Sequence, residues 1–311
     1  MYKIHHLLTL QAVHRTGSFA VAAKELGYTA SAVSQQIAAL EKHTGLVLFE
    51  REAHGVRTTA AAHRLVELSR RVLASVDELD FQVRRLASGA TGRIRLGSFP
   101  TGSVRVLPSV LSGFARERPG VEVTLEEGEP DELVEALVDG DLDVALLYEY
   151  GLCPREWPDD VTTHALLRED LLLLRPAGGP ASGELSRLRD QRWITSREGT
   201  AGASSLTRLC ASAGFSPSIT FRSNNYDVVR ELVAATGGVA VVPALGHRDD
   251  DRIAASKLPQ ASAYRTVFAA HRAGNSNPLL SDFLAATRRA VPTSPHLTSL
   301  GGHRRSAPAA R

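Results

Sequence analysis

The sequence predicts a multidomain chain: a small, mainly α-helical head with a two-stranded wing, one long linker helix, and two successive α/β layers. Three observations predict it. Apolar residues recur at helical spacing from Leu7 to Leu40, and every seven residues from Leu65 to Leu86. A Ser-Gly-Ala-Thr-Gly linker at Ser88–Gly92 then interrupts the pattern. Beyond it, short apolar strands alternate with amphipathic helical segments.

Leu7, Leu10 and Val13 share one face of the first helix, which Gly17 ends. Ser18 suits an N-cap, its hydroxyl accepting a backbone N–H of the next turn. The second helix, Phe19 to Leu26, carries the small pair Ala22-Ala23, which lets another helix approach closely. Gly27-Tyr28 makes a tight turn, and Thr29 or Ser31 caps a third helix running to about Lys42. Val33, Ile37 and Leu40 point inward, and Gly45 suits the left-handed position past its end. Leu46–Arg51 and Val56–Thr59 can pair as a wing. Two helices joined by a short Gly-containing turn make a helix-turn-helix. The outward face of the third helix is small and polar: Ala30, Ser31, Ser34, Gln35 and Gln36. Such a face can enter a major groove, where Gln bonds adenine at N6 and N7. An ordinary helical bundle would more often carry Lys and Glu there.

Residues 60–88 hold neither Gly nor Pro before the linker. Leu65, Val72, Leu79 and Leu86 form a heptad stripe, widened by Leu68, Val76 and Val83, that supports coiled-coil-like self-association. At 1.5 Å per residue this helix is about 43 Å long, more than a head of 60 residues can cover. The strands then read as Ile94–Gly97, Val121–Leu125 and Asp143–Tyr148, with helices at Val104–Arg118 and Asp131–Asp139 between them. A second layer starts at Leu171 and runs through Trp193-Ile194, Ile219–Arg222 and Val239–Val242. Thr266–Ala270 and a helix near Ser281–Arg289 complete it. Residues 291–311, rich in Pro, Ser, Gly and Ala, read as a disordered tail.

The 311 residues carry 43% hydrophobic and 23% charged side chains, which excludes a wholly disordered chain, a collagen and a miniature disulfide scaffold. Two cysteines, Cys153 and Cys210, cannot build a four-ligand zinc site. No metal site and no cofactor is expected. The net charge of +2 divides unevenly. Residues 1–90 hold 11 basic and 8 acidic residues, a balance of +3, and the last 20 residues add three arginines and no acid, which leaves the middle acidic. Six of the 11 histidines lie in the first 63 residues. The start lacks the apolar core of a secretory signal, and no run approaches the roughly 18 apolar residues of a membrane span. The chain reads as cytoplasmic, with no membrane partner and with both thiols reduced and inert.

Leu7-x-x-Leu10-x-x-Val13, Gly17-Ser18-Phe19, Ala22-Ala23, Leu26, Ser31-Ala-Val-Ser34, Gln36-Ile37, Leu40-Glu41, Gly45, Leu48-Phe49-Glu-Arg51 and Thr59-x-Ala61 resemble, in order and spacing, the signature of LysR-type transcriptional regulators. Phe114–Val123, Asp139–Ala145 and Gly237–Pro243 resemble weaker signatures of that family's effector domain. The resemblance covers residues 2–290. Ala30 stands where the family often has Gln, Gln35 where it often has Arg, and Ala62 where a Gly is usual.

The resemblance implies an all-α winged helix-turn-helix head over residues 1–60, a linker and dimerisation helix over 61–90, and over 91–290 a two-lobed α/β effector domain similar to type 2 periplasmic binding proteins. Lobe I would span about 92–164 and 264–290, and lobe II about 165–263. The chain would cross between them near Thr163–Glu169 and Ser256–Tyr264. Implied partners are promoter DNA, a small-molecule effector, a second copy of the chain as dimer or tetramer, and RNA polymerase. Ser18, Thr29, Ala30 and Ser31 would lie at the DNA, Thr29 and Ser31 bonding phosphate at a helix N-terminus. Ser34, Gln35 and Gln36 would read base edges or nearby phosphates. Arg51 and Thr58 of the wing would reach the backbone or minor groove, unless Arg51 pairs with Glu41 instead. The loop Ser98-Phe-Pro-Thr101-Gly102-Ser103 suits a carboxylate or other anion, though capping alone would also use Ser103. Thr195-Ser196 and Asn224-Asn225 face it from lobe II. Arg105 and His247 are weaker candidates.

Two other functions compete. An enzyme with a regulatory head has no G-x-S-x-G, H-E-x-x-H, Walker A or G-x-G-x-x-G match to support it. A pyridoxal-phosphate domain needs a lysine, and after residue 60 the only one is Lys257, in a crossover segment. His247-Arg-Asp-Asp-Asp251 suits an acidic solvated loop better than a metal cluster. A solute-binding protein would not need the 90-residue N-terminal module.

Overall fold

The computed structural model describes residues 2–52, 55–88, 92–178, 184–301 and 304–305, with side chains for all but 51, 85–88 and 304–305. The chain forms two compact units that divide essentially at 91/92.

In the first unit, α1 (Ile4–Thr16), α2 (Phe19–Leu26) and α3 (Ala30–Thr44) precede a hairpin of β1 (Phe49–Glu52) and β2 (Gly55–Thr58). Ser18 caps α2 by accepting Val21 N–H, and Thr29 caps α3 by accepting Ala32 N–H. Leu10, Val13, Ala22, Val33, Ile37, Leu40 and Leu48 form the core. The wing begins at Phe49 rather than Leu46, and pairs Phe49 with Thr58. It is hooked to the α1–α2 turn: Val56 N–H donates to the Gly17 carbonyl at 3.0 Å. A Cβ on Gly55 would sit 2.7 Å from that same carbonyl, and its φ of +146° is one that side chains disfavour.

Helix α4 (Ala60–Ser88) turns Ala62, Val66, Ser69 and Leu73 onto this core. The heptad stripe is divided. Val72 and Leu79 are 49% and 62% exposed, beside exposed Leu68 and Val83. Leu65 instead packs partly against the head core, because a helix of 3.6 residues per turn drifts off a seven-residue repeat. The side chain of Leu86 lies outside the described residues.

Burial lowers the pKa of His6, helped by His5, and that of His14, helped by His63 and Arg70. Both are therefore neutral in the folded head more readily than in the unfolded chain. Their stabilisation is complete above pH 6.5 and is lost as pH falls through the folded values. Hydrogen exchange of α1 amides, corrected for intrinsic rates, should accelerate between pH 7.5 and 5.5. Unchanged protection would contradict this.

The second unit opens with β3 (Gly92–Ser98), α5 (Pro100–Arg105), α6 (Leu107–Glu117), β4 (Val121–Glu127), α7 (Pro130–Asp139) and β5 (Val144–Tyr150). The single helix read at Val104–Arg118 is two, broken at Val106, where Pro108 cannot donate to the preceding turn. Next comes β6 (Val161–Pro176), a strand of 16 residues shared by both lobes. Then follow β7 (Arg192–Thr195), α8 (Ala201–Ser212), β8 (Ser218–Arg222), α9 (Tyr226–Thr236), β9 (Val239–Pro243), β10 (Ile253–Lys257), β11 (Tyr264–Arg272) and α10 (Leu280–Arg289). The sheet order is β4-β3-β5-β11-β6-β9-β7-β8, with β10 also on β6. Pairing is parallel within β4-β3-β5 and β9-β7-β8, and antiparallel wherever β6 or β11 takes part. The sheets are therefore mixed rather than purely parallel.

β6 fixes the first crossing. Val161–Asp170 pairs with β11, and Leu171 onward pairs with β9. Lobe I thus runs to 170 rather than about 164, because β6 continues unbroken through Thr163–Glu169. The second crossing is 258–263, between β10 and β11. The tail also differs from a disordered one. β12 (Leu297–Ser299) pairs with Leu167–Glu169, and β13 (Arg304–Arg305) pairs with Thr163–His164, both on β6. The free side of β6 in lobe I offers a row of unpaired N–H and C=O groups, which an extended polar segment satisfies whatever its composition. At the hinge itself Asp170 receives Lys257 Nζ at 2.8 Å and His296 Nδ1 at 3.3 Å.

Candidate functional site

Two surfaces carry the sequence-selected residues. On α3, Ala30, Ser31 and Gln35 are exposed, while Ser34 and Gln36 are half-buried. Thr29 and Ser31 share a hydrogen bond at 3.0 Å at the helix N-terminus, so both hydroxyls face the same way there. Ser18 is half-buried and engaged as a cap. Thr58 meets His14 Nδ1 at 3.3 Å. The Arg51 side chain lies outside the described residues, and Glu41 is occupied otherwise, accepting Leu48 N–H at 2.7 Å.

The second surface is the cleft between the lobes. It holds a half-open cavity of about 20 Å³ beside a groove of about 480 Å³. Thr101 and Asn224 line both, Ser196 lines the inner cavity and Asn225 the groove. The other four selected residues line neither. Ser98 is fully buried, with its hydroxyl on the Phe99 carbonyl. Ser103 bonds that same carbonyl from within α5. Gly102 leaves room for the Phe99 ring, since a Cβ there would stand 3.0 Å from it, and Thr195 is buried at the end of β7. These residues shape the loop ends, as strand-to-helix turns require, without facing the cavity. Arg105 lines the groove and donates to the His247 carbonyl at 2.9 Å.

The centre of the cleft is a group that the sequence reading did not select. Arg265, 2% exposed, comes from the start of β11. Its Nε donates to Glu169 Oε1 at 2.6 Å and its Nη2 to Thr101 Oγ1 at 2.8 Å. Phe99, Tyr148 and Tyr150 surround it, with ring centroids 4.7–5.9 Å from the guanidinium carbon. Burial opposes the charge, but Glu169 and the three tyrosines Tyr150, Tyr226 and Tyr148 hold the Arg265 pKa above its ordinary value. Glu169 also accepts Leu245 N–H from lobe II at 2.7 Å, so one carboxylate joins the lobes. Burial raises the pKa of Tyr148, Tyr150 and Tyr226, keeping all three hydroxyls as donors at neutral pH. Tyr148 spends its proton on Glu129.

Lobe II contributes backbone. Thr200 caps α8 and Asn225 caps α9, aligning two helix N-termini toward the cleft. Asn224 Oδ1 accepts Arg197 N–H at 2.9 Å, which leaves its amide NH₂ for a ligand. Gly202 lets α8 approach closely: a Cβ there would stand 2.8 Å from Ser196 Oγ and 3.2 Å from the Tyr150 hydroxyl. This arrangement offers hydrogen-bonding groups suited to a small polar molecule; among the described residues of the cleft no nucleophile stands beside a base. Burial pushes the Cys210 thiol up to about 12 and also raises Cys153, so neither is a ready thiolate. Among the described residues no three His, Cys, Asp or Glu side chains gather to hold a metal. No helix among them is long and apolar enough to cross a membrane.

Two family models match: the bacterial regulatory helix-turn-helix protein, lysR family, over residues 4–63, and the LysR substrate binding domain over 87–292. The transcriptional dual regulator GltC of Bacillus subtilis (strain 168) is 30% identical over 218 residues, covering 68% of this chain and 71% of its own. The crystal structure of CbnR, a LysR family transcriptional regulator, superposes with a TM-score of 0.67 at 25% identity, over 94% of this chain and 100% of that one. Full-length CbnR complexed with its target DNA gives 0.67 at 26% identity, over 93% and 100%. The helix-turn-helix head, the mixed α/β cleft domain and these matches agree: the chain belongs to the LysR family of transcriptional regulators.

Proposed function

We propose that this regulator binds promoter DNA through α3 and adjusts that binding to a small anionic effector held between its lobes. The observation that carries the DNA reading is the face of α3: uncharged, capped at its N-terminus by Thr29, and offering exposed Ser31 and Gln35 with half-buried Ser34 between them. A face of short hydrogen-bonding side chains fits base edges. The N-terminal balance of +3 supplies the sequence-blind attraction to phosphate, and pairing of two chains doubles it. Exposed Val72 and Leu79 on α4 support self-association as a dimer or tetramer. CbnR, which is similar over nearly the whole chain, has been seen with its target DNA.

The effector role rests on the cleft, where the N-termini of α8 and α9, the Asn224 amide and the residues Tyr150 and Tyr226 line the cavity and the groove beside it. The ligand acts by favouring one lobe arrangement, and with it one arrangement of paired heads. RNA polymerase is the partner through which a bound promoter is read out. The protein is cytoplasmic and catalyses no reaction. The test is a mobility shift with DNA upstream of its own gene. A sequence-selective shift is expected whose affinity falls as salt rises, by about 0.9 log units per log unit of salt for each phosphate neutralised. A shift that any duplex competes away equally would overturn the proposal.

A further inference from the structure

Gln36 is not free as Gln35 is. Gln35 is exposed, and its side chain makes no hydrogen bond among the described residues. Gln36 reaches back to α1, where Thr9 is fully buried. Thr9 Oγ1 lies 2.8 Å from the His5 carbonyl and 2.5 Å from Gln36 Oε1. One hydroxyl proton serves one acceptor. If it goes to Gln36, one of the two lone pairs of the amide oxygen is taken, and that oxygen is turned toward a fully buried hydroxyl. If it goes to His5, Gln36 turns its NH₂ toward Thr9 instead. In both arrangements one end of the Gln36 amide is committed to α1, and a single end remains for the groove.

That limits what Gln36 can read. A two-point contact to adenine needs the amide oxygen on N6 and the amide nitrogen on N7 together. We propose that Thr9 is a positioning residue for operator recognition: it restricts Gln36 to a one-point contact and leaves the two-point adenine contact to Gln35. This rests on the DNA-reading role of α3 proposed above. The burial of Thr9 fits it, since valine would fill the same volume between α1 and α3 and could not hold the amide.

The experiment is selection of bound duplexes from a library with randomised half-sites, using the full chain. The wild type should show one adenine preference per half-site that Gln35→Ala removes and Gln36→Ala leaves in place. Thr9→Val frees the Gln36 amide and should add a second adenine preference at a neighbouring position, about tenfold over the other bases; Thr9→Ser should select as the wild type does. Packing alone would make Thr9→Val weaken all sequences equally. The assignment is overturned if Thr9→Val selects the wild-type sequences, or if Gln36→Ala rather than Gln35→Ala abolishes the adenine preference. The two glutamine variants decide it even where Thr9→Val does not fold. A wild type that enriches no sequence would remove the DNA reading of α3 itself, and this assignment with it.

Discussion

Arg265→Ala is expected to destabilise the effector unit by about 3–5 kcal/mol, the usual cost of removing one partner from a buried ion pair. Glu169, with no exposed surface, would lose the cation that offsets the cost of burying its charge, and its pKa, already raised by burial, would rise further. Thr101 would lose its donor, and the guanidinium would leave a void among Phe99, Tyr148 and Tyr150. The chain's two tryptophans, Trp157 and Trp193, both lie in this unit. Their fluorescence in a denaturant titration therefore follows its unfolding alone. Replacing both charges, as in Glu169→Leu with Arg265→Met, should cost less than Arg265→Ala, because no orphaned charge is left. A single-variant loss under about 1 kcal/mol would show that the pair does not hold the lobes.

The second large effect concerns α4. Val72→Asp with Leu79→Asp places two carboxylates in the exposed apolar strip, away from Val66 and Leu73, which pack on the head. The head should stay folded while self-association weakens at least about a hundredfold, or about 2.8 kcal/mol. Sedimentation at micromolar concentration should then report the monomer mass of 33.4 kDa. An unchanged assembly mass would remove α4 as the pairing surface.

Legibility followed the range of the interactions. The head was readable because its signals are local: Gly17, Gly27 and Gly45 each take the left-handed conformation just past a helix, and Ser18 and Thr29 each cap the next one. Turn chemistry also found Thr101, Ser196, Asn224 and Asn225 in the cleft. It equally selected Ser98 and Thr195, since a hydroxyl at a strand end looks the same in sequence whether it faces a cavity or a core. The centre of the site was hidden for a different reason. Arg265 sits at the start of β11, where a charge reads as the edge of the element, and Glu169 sits mid-way along β6 within a charged triplet, Arg168-Glu169-Asp170, that reads as a break between two strands. Only the pairing of β6 with β11 brings them together.

The strand β12 has a practical consequence. Arg288 and Arg289 are exposed at the end of α10, and the chain beyond them forms the border of β6. A trypsin cut there would leave both lobes folded but release β12 and His296 from Asp170. The clipped protein would carry a bare strand border beside the hinge, ready to recruit the same border of another molecule. During purification such a nick would register as gradual loss of material to aggregates rather than as a band of altered mobility in a native gel.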